Sequence, residues 1–110
     1  YQPLHPAVVE ALHLVVEAGH GEGREVTICG ELAGDPVGAA LLLGMGYDAL
    51  SMNATSVPRV KKVLRSVTLD EVRELAQAVR CMDTRDAIRG RIVGQLAGRG
   101  LEPLIQAPVD

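Results

Sequence analysis

The sequence predicts an α/β fold of two parallel strands followed by a helical tail, and it predicts that the sheet is incomplete. Two short segments, Glu25-Val26-Thr27-Ile28-Cys29 and Asp48 to Met52, flank a helix-forming stretch at the spacing of a βαβ crossover. Such a crossover is right-handed and points both strands the same way, so their carboxyl ends share one rim. From Val67 onward the apolar pattern is purely helical. Two parallel strands leave edges and a face uncovered, where a covered parallel sheet normally has four or more. The chain therefore reads as a piece of a larger α/β domain, or as one that completes its sheet by association.

Each element has its own local reason. Val8, Leu12, Val15, Val16 and Gly19 recur at helical spacing behind Pro6, a good first helical residue, which predicts a helix over about residues 6 to 19. Gly19 to Gly23 ends it. The first strand, β-branched and bounded by Gly30 and Gly34, runs into a glycine-flexed loop. Asp35-Pro36 then caps and opens a helix with Val37, Ala40, Leu41 and Leu43 on its apolar face, closed by Gly44 and Gly46. Ser56-Val57-Pro58 starts another helix, carrying Val60, Val63 and Leu64. In the tail, Thr68 and Glu71 have capping-box spacing, and Val67 with Val72 is placed to form the hydrophobic staple. Leu75, Ala76 and Val79 continue that buried face. A last helix is expected over roughly Thr84 to Ala97, capped by Asp83 and buried through Ile88, Ile92, Val93 and Leu96; the final ten residues are expected to be frayed or extended.

Composition narrows the function. The 110 residues, 47% apolar and 23% charged, suit one globular domain and leave no room for a second. No apolar run approaches the ~20 residues of a membrane span, and Tyr1 to Pro6 lacks the basic and apolar regions of a signal peptide, so a cytoplasmic setting without membrane contact is expected. The net charge of −3 is spread along the chain, and the aromatic residues are two tyrosines, which argues against nucleic-acid binding. Arg59, Lys61, Lys62 and Arg65 read as a solvated helix face. His5, His13 and His20 lack metal-ligand spacing and are expected at or near the surface. Cys29 and Cys81 lack CxxC spacing, so neither a zinc knuckle nor a disulfide framework is expected; the default for each is a small buried hydrophobe, and packing is the expected role of Cys81.

The stretch richest in chemistry is Cys29-Gly30-Glu31-Leu32-Ala33-Gly34-Asp35-Pro36, which puts a thiol at a strand's carboxyl end ahead of a flexible loop and a capped helix. Such a loop can bring backbone N–H groups and a reactive side chain to an anionic ligand, although spacing alone favours a buried cysteine before an ordinary connection. Asp35 reads as a helix cap, and Glu31 as a solvated residue or a group that orients the loop or adjusts the thiol. Ser51 and Asn53, at the end of the second strand, are candidates to hydrogen-bond a ligand or to satisfy loop backbone groups. Gly44-Met45-Gly46-Tyr47-Asp48-Ala49 formally matches a dinucleotide fingerprint but follows a helix and enters a strand, so its glycines read as a helix cap and turn.

These residues carry a family resemblance. Leu4-His5-Pro6-Ala7-Val8, CGELAGDP from Cys29 to Pro36, and LLLGMGYDALSMNATSVPRVKKVLRS from Leu41 to Ser66 resemble the C-terminal end of enzyme I of the bacterial phosphotransferase system, a phosphoenolpyruvate-protein phosphotransferase. The CGE-x-AGD core also recurs in pyruvate phosphate dikinase; the flanks narrow the likeness to enzyme I, and the tail from Gly98 to Ile105 is most similar to the nitrogen-related branch. The resemblance implies a phosphoenolpyruvate-binding (β/α)8 barrel, with residues 1–66 as its last βα units, residues 67–110 as a helical tail, and less than half of a ~250-residue barrel present. It implies transfer of the phosphoryl group of phosphoenolpyruvate to a histidine and on to a phosphocarrier protein, with Mg2+ in the parent enzyme and pairing into a homodimer through this domain. It makes Cys29 the acid that protonates the pyruvate enolate, and Gly30 the residue that lets the loop approach substrate. The chain lacks counterparts of the family's phosphohistidine motif, its GTND segment and its substrate-clamping arginines, so the isolated polypeptide is expected to be inactive and no magnesium ligand is assigned here. Two alternatives remain at this point: a dimerisation or interaction module of the same protein, and part of a dikinase-like enzyme.

Overall fold

The computed structural model describes residues 4–105. The order is α1 (Pro6–Gly21), β1 (Thr27–Cys29), α2 (Glu31–Gly34), α3 (Pro36–Met45), β2 (Ala49–Ser51), α4 (Val57–Leu64), α5 (Leu69–Val79), α6 (Arg85–Leu96) and α7 (Glu102–Ile105). The strands pair in parallel, with Thr27 opposite Ala49, Ile28 opposite Leu50 and Cys29 opposite Ser51. The fold is thus α/β, rich in helix, with a two-stranded sheet among the described residues.

Helix α3 is the centre. Pro36 through Leu42 are all buried, so this helix is apolar around its whole circumference rather than along the single face expected from sequence. The reason is tertiary: α2 and α4 flank it, while α5, α6 and α7 cover its other side. Val72, Leu75, Ala76 and Val79 of α5 join Ile88, Ile92 and Leu96 of α6 in the same core as Val37, Leu41 and Leu42. Gly44 permits the close approach, since a methyl group there would overlap the backbone carbonyl of Val72. Gly46, at φ 103°, caps α3 in the left-handed region.

The tail helix α5 starts as the sequence predicts. Thr68 Oγ1 accepts from the Glu71 N–H at 3.2 Å, and a Glu71 carboxylate oxygen accepts in return from the Thr68 N–H at 3.2 Å, with Val67 half-buried and Val72 fully buried. The other Glu71 oxygen takes Arg99, whose second nitrogen donates to the Ser66 carbonyl. That arginine holds the Glu71 carboxyl below its usual range.

Five expectations are corrected. Helix α1 buries Val9, His13 and Val16, while Val8 and Val15 point outward at 40% and 55% exposure and Leu12 is half-buried; of the face expected from sequence Val16 is fully buried, and Val9 and His13 take the inward places expected of Val8 and Val15. His13, expected near the surface, is therefore buried, and its Nε2 has no hydrogen-bond partner. Cys81 lies just past α5 and is exposed rather than packed, because Val79 is the last inward position of that helix. Thr84, not Asp83, caps α6: its hydroxyl accepts from the Ala87 N–H at 3.1 Å. The expected frayed end begins instead with the short helix α7, held by burial of Leu101 and Ile105 and by Glu102 accepting from the Gly98 N–H at 3.0 Å; residues 106–110 lie outside the described residues.

Candidate functional site

The crossover places both strand ends on one rim. Cys29 is the last residue of β1, exposed, and directly beside Ser51, the last residue of β2, which is also exposed. Because side chains alternate along a strand, Thr27, Cys29, Ala49 and Ser51 share one open face, while Ile28 and Leu50 turn half-buried toward the helices. The thiol and the hydroxyl are thus the rim-most groups of an uncovered sheet face.

Immediately after Cys29 the chain turns at Gly30, with φ 120° and ψ −170°, a conformation that side-chain-bearing residues rarely adopt. An added methyl would meet nothing within 4 Å there, so backbone conformation rather than space requires glycine. The expected loop then closes into one helical turn, α2, in which the Gly34 N–H donates to the Gly30 carbonyl at 3.3 Å and Leu32 and Ala33 are buried. Glu31 opens this turn and is exposed. Gly34 lies against Ser56 and Met52, so the turn rests on the loop that follows β2.

Asn53 is occupied by that loop. Its Oδ1 accepts from the Ser56 N–H (3.0 Å), the Ser56 hydroxyl (2.8 Å) and the Thr55 hydroxyl (2.9 Å). Of the two roles considered for Asn53, this arrangement realises the loop-building one. Asp35 caps α3, its Oδ1 accepting from the Val37 N–H at 3.4 Å, and its Oδ2 lies 3.6 Å from Arg89 of α6. Sequence reasoning missed Arg89, because no local signal connects a tail-helix arginine to a cap more than fifty positions earlier.

The strands' opposite end carries a second polar contact. Asp48 Oδ2 accepts from the Val26 N–H at 2.8 Å and lies 2.7 Å from His20 Nε2. The Val26 amide first, then His20, holds the Asp48 carboxyl below its usual range. This end is structural in character: it ties the end of α1 to the start of both strands. Among the described residues no group of three or more His, Cys, Asp and Glu side chains is disposed to hold a metal ion, and no helix is long and apolar enough to cross a membrane.

A family model described as PEP-utilising enzyme, PEP-binding domain matches residues 1–69. Among curated proteins, the chain is 49% identical over 76 residues to the phosphoenolpyruvate-protein phosphotransferase of Haemophilus influenzae, covering 69% of this chain and 13% of that protein. It is 40% identical over 89 residues to the protein of the same name from Staphylococcus carnosus, covering 80% of this chain and 16% of that one. It is 36% identical over 106 residues to the "Phosphoenolpyruvate-dependent phosphotransferase system" protein of Salmonella typhimurium, covering 96% and 14% respectively. The last alignment takes in the tail helices that lie beyond the family match. The chain spans only about one seventh of the length of these relatives.

Proposed function

The chain belongs to the family of PEP-utilising enzymes, as part of its PEP-binding domain, and we propose that it supplies the closing βα units of a barrel in a phosphoenolpyruvate-protein phosphotransferase. The open sheet face supports this reading, as do two strands unpaired on their outer edges among the described residues and the outward Val8, Leu14 and Val15 of α1. These are surfaces that preceding barrel units would cover.

In the proposed reaction a histidine elsewhere in the parent protein takes the phosphoryl group: the bond from phosphorus to the enol oxygen breaks and a phosphorus–nitrogen bond forms. The enolate of pyruvate is left at the rim. Cys29 then gives its Sγ proton to the enolate methylene carbon; a C–H bond forms, the S–H bond breaks, and solvent returns a proton to the sulfur. General acid catalysis of this kind requires the donor within reach of the carbon, and a rim thiol on an open strand face fits that requirement. Gly30 lets the loop backbone approach substrate; Ser51 stands opposite Cys29 in the strand register, Glu31 opens the turn that follows, and Asn53 shapes the loop after β2. The phosphorylated histidine would pass its group to a phosphocarrier protein.

Among the described residues no group of three or more His, Cys, Asp and Glu side chains is disposed to hold a metal ion, and no step is assigned to Mg2+ through this chain. The observation that carries the proposal is the placement of Cys29 at the exposed strand end beside Ser51. Its test is Cys29→Ala in the full-length protein. The expected result is loss of pyruvate formation and of solvent-proton incorporation at the methyl carbon, with phosphoryl transfer to the histidine retained; unchanged values of all three would overturn it.

A further inference from the structure

The Cys29 turn is anchored from the tail through one aspartate. Asp35 ends α2, its backbone N–H donating to the Leu32 carbonyl at 3.3 Å, and it caps α3 through Oδ1. Its remaining oxygen faces the Arg89 guanidinium at 3.6 Å, with side-chain exposures of 17% for the aspartate and 31% for the arginine. Arg89 also donates to the Ile105 carbonyl at 3.3 Å, at the end of α7. One guanidinium therefore joins both tail helices to the junction of α2 and α3. That junction is tight, because a methyl group on Gly38 would strike the Leu32 backbone and side chain, so α2 and the start of α3 shift together. Only Gly30 separates α2 from Cys29.

We infer that Arg89 is a positioning residue for the thiol: by holding Asp35 it fixes α2 against α3 and thereby places Cys29 on the rim. The catalytic consequence rests on the proposed function; the mechanical one does not. The tail is in this respect part of the site's scaffold rather than an appendage. A half-buried ion pair is screened less than a surface pair, and small displacements of a reacting group cost rate steeply.

Two measurements test this. In the present chain, Arg89→Met and Asp35→Ser should speed hydrogen exchange of the Gly34 and Asp35 amides by about fivefold, while amides in the middle of α5 keep their rates. Serine is itself a good helix cap, so Asp35→Ser removes the ion pair without removing the cap, and it carries the test if Arg89→Met fails to fold. In the full-length protein, either variant should lower kcat for pyruvate formation by about tenfold with KM for phosphoenolpyruvate unchanged. Arg89→Lys, which keeps the charge, should recover most of that loss. Unchanged amide exchange in a folded variant overturns the inference, as does a rate loss carried by KM or one that lysine does not relieve. A fully active Cys29→Ala parent would instead remove the proposed function and leave the exchange result to judge the mechanical claim.

Discussion

Gly44 of α3 and Val72 of α5 touch backbone to backbone: there is no room for a β-carbon on Gly44 in front of the Val72 carbonyl. This contact sets how closely the tail packs on the central helix. Two effects oppose each other on substitution. Alanine would favour the helix by about 1 kcal/mol through propensity, but the obstacle is backbone and cannot swing aside. Overpacking of this kind costs about 1–3 kcal/mol beyond any such gain. Gly44→Ala should therefore lower the stability of the chain by about 2 kcal/mol in urea denaturation; an unchanged or raised midpoint would contradict the assignment.

His13 should make stability fall in mild acid. Burial, then the neighbouring Arg80, holds its pKa below 6.5; Glu10, Glu17 and the Ala76 backbone pull weakly the other way. As pH drops below about 6.5 the unfolded chain takes up a proton at this histidine that the folded chain refuses. Stability is then lost from that pH downward until the folded histidine also protonates, at no more than about 1.4 kcal/mol per pH unit for one proton. His13→Leu should flatten this part of the profile, and at pH 7.5 it should cost nothing, because it removes a buried nitrogen without a partner. A profile of the variant that overlays the wild type would refute this.

Arg80 couples to that titration. Its guanidinium binds Glu10 through Nε and Nη2, at 3.0 and 2.8 Å, and Glu17 through Nη1 at 2.6 Å, tying α1 to the end of α5. Hydrogen bonding to Arg80 holds the Glu10 carboxyl below its ordinary range. Arg80→Met removes a positive charge near His13, so His13 NMR titration should move to higher pH. The Glu10 carboxylate acts in a lower window: its stabilisation is present above the unfolded glutamate pKa of about 4.5 and is lost as pH falls below it. An unmoved His13 titration would sink the coupling.

The capping box of α5 offers a graded test. Thr68→Ala should cost about 1 kcal/mol, and Thr68→Ser almost nothing, because a hydroxyl still reaches the Glu71 amide. Glu71→Ala should cost more than Thr68→Ala, since the same carboxylate also takes Arg99 and, at 3.5 Å, Gln95. Equal losses for the two alanine variants, measured by thermal unfolding, would show that the links to Arg99 and Gln95 contribute nothing.

Most of the fold was legible locally. The box at Thr68 and Glu71, the Asp35-Pro36 helix start and the parallel pairing of the two strands are each written in adjacent residues, because caps and strand propensity act over a few positions. The Cys29 position was legible for the same reason: a strand followed by glycine puts its last side chain at a rim. What misled was choice between near-equal local options. Helix α1 has apolar residues on two faces, and nothing within the helix says that Val9 turns inward beside Val16 while Val8 and Val15 stay out. Nor does a local rule prefer Thr84 over Asp83 as a cap; the hydroxyl's reach to the Ala87 amide decides it.

By itself the sequence determined the kinds and order of the elements and the residue at the strand end, since hydrogen-bond periodicity, caps and turns are short-range. Only the tertiary structure decided which α1 face is buried, that His13 is enclosed, and that Arg89 reaches Asp35. Those outcomes depend on how α5 and α6 close over α3, where burial of large apolar surfaces outweighs the small differences among local alternatives.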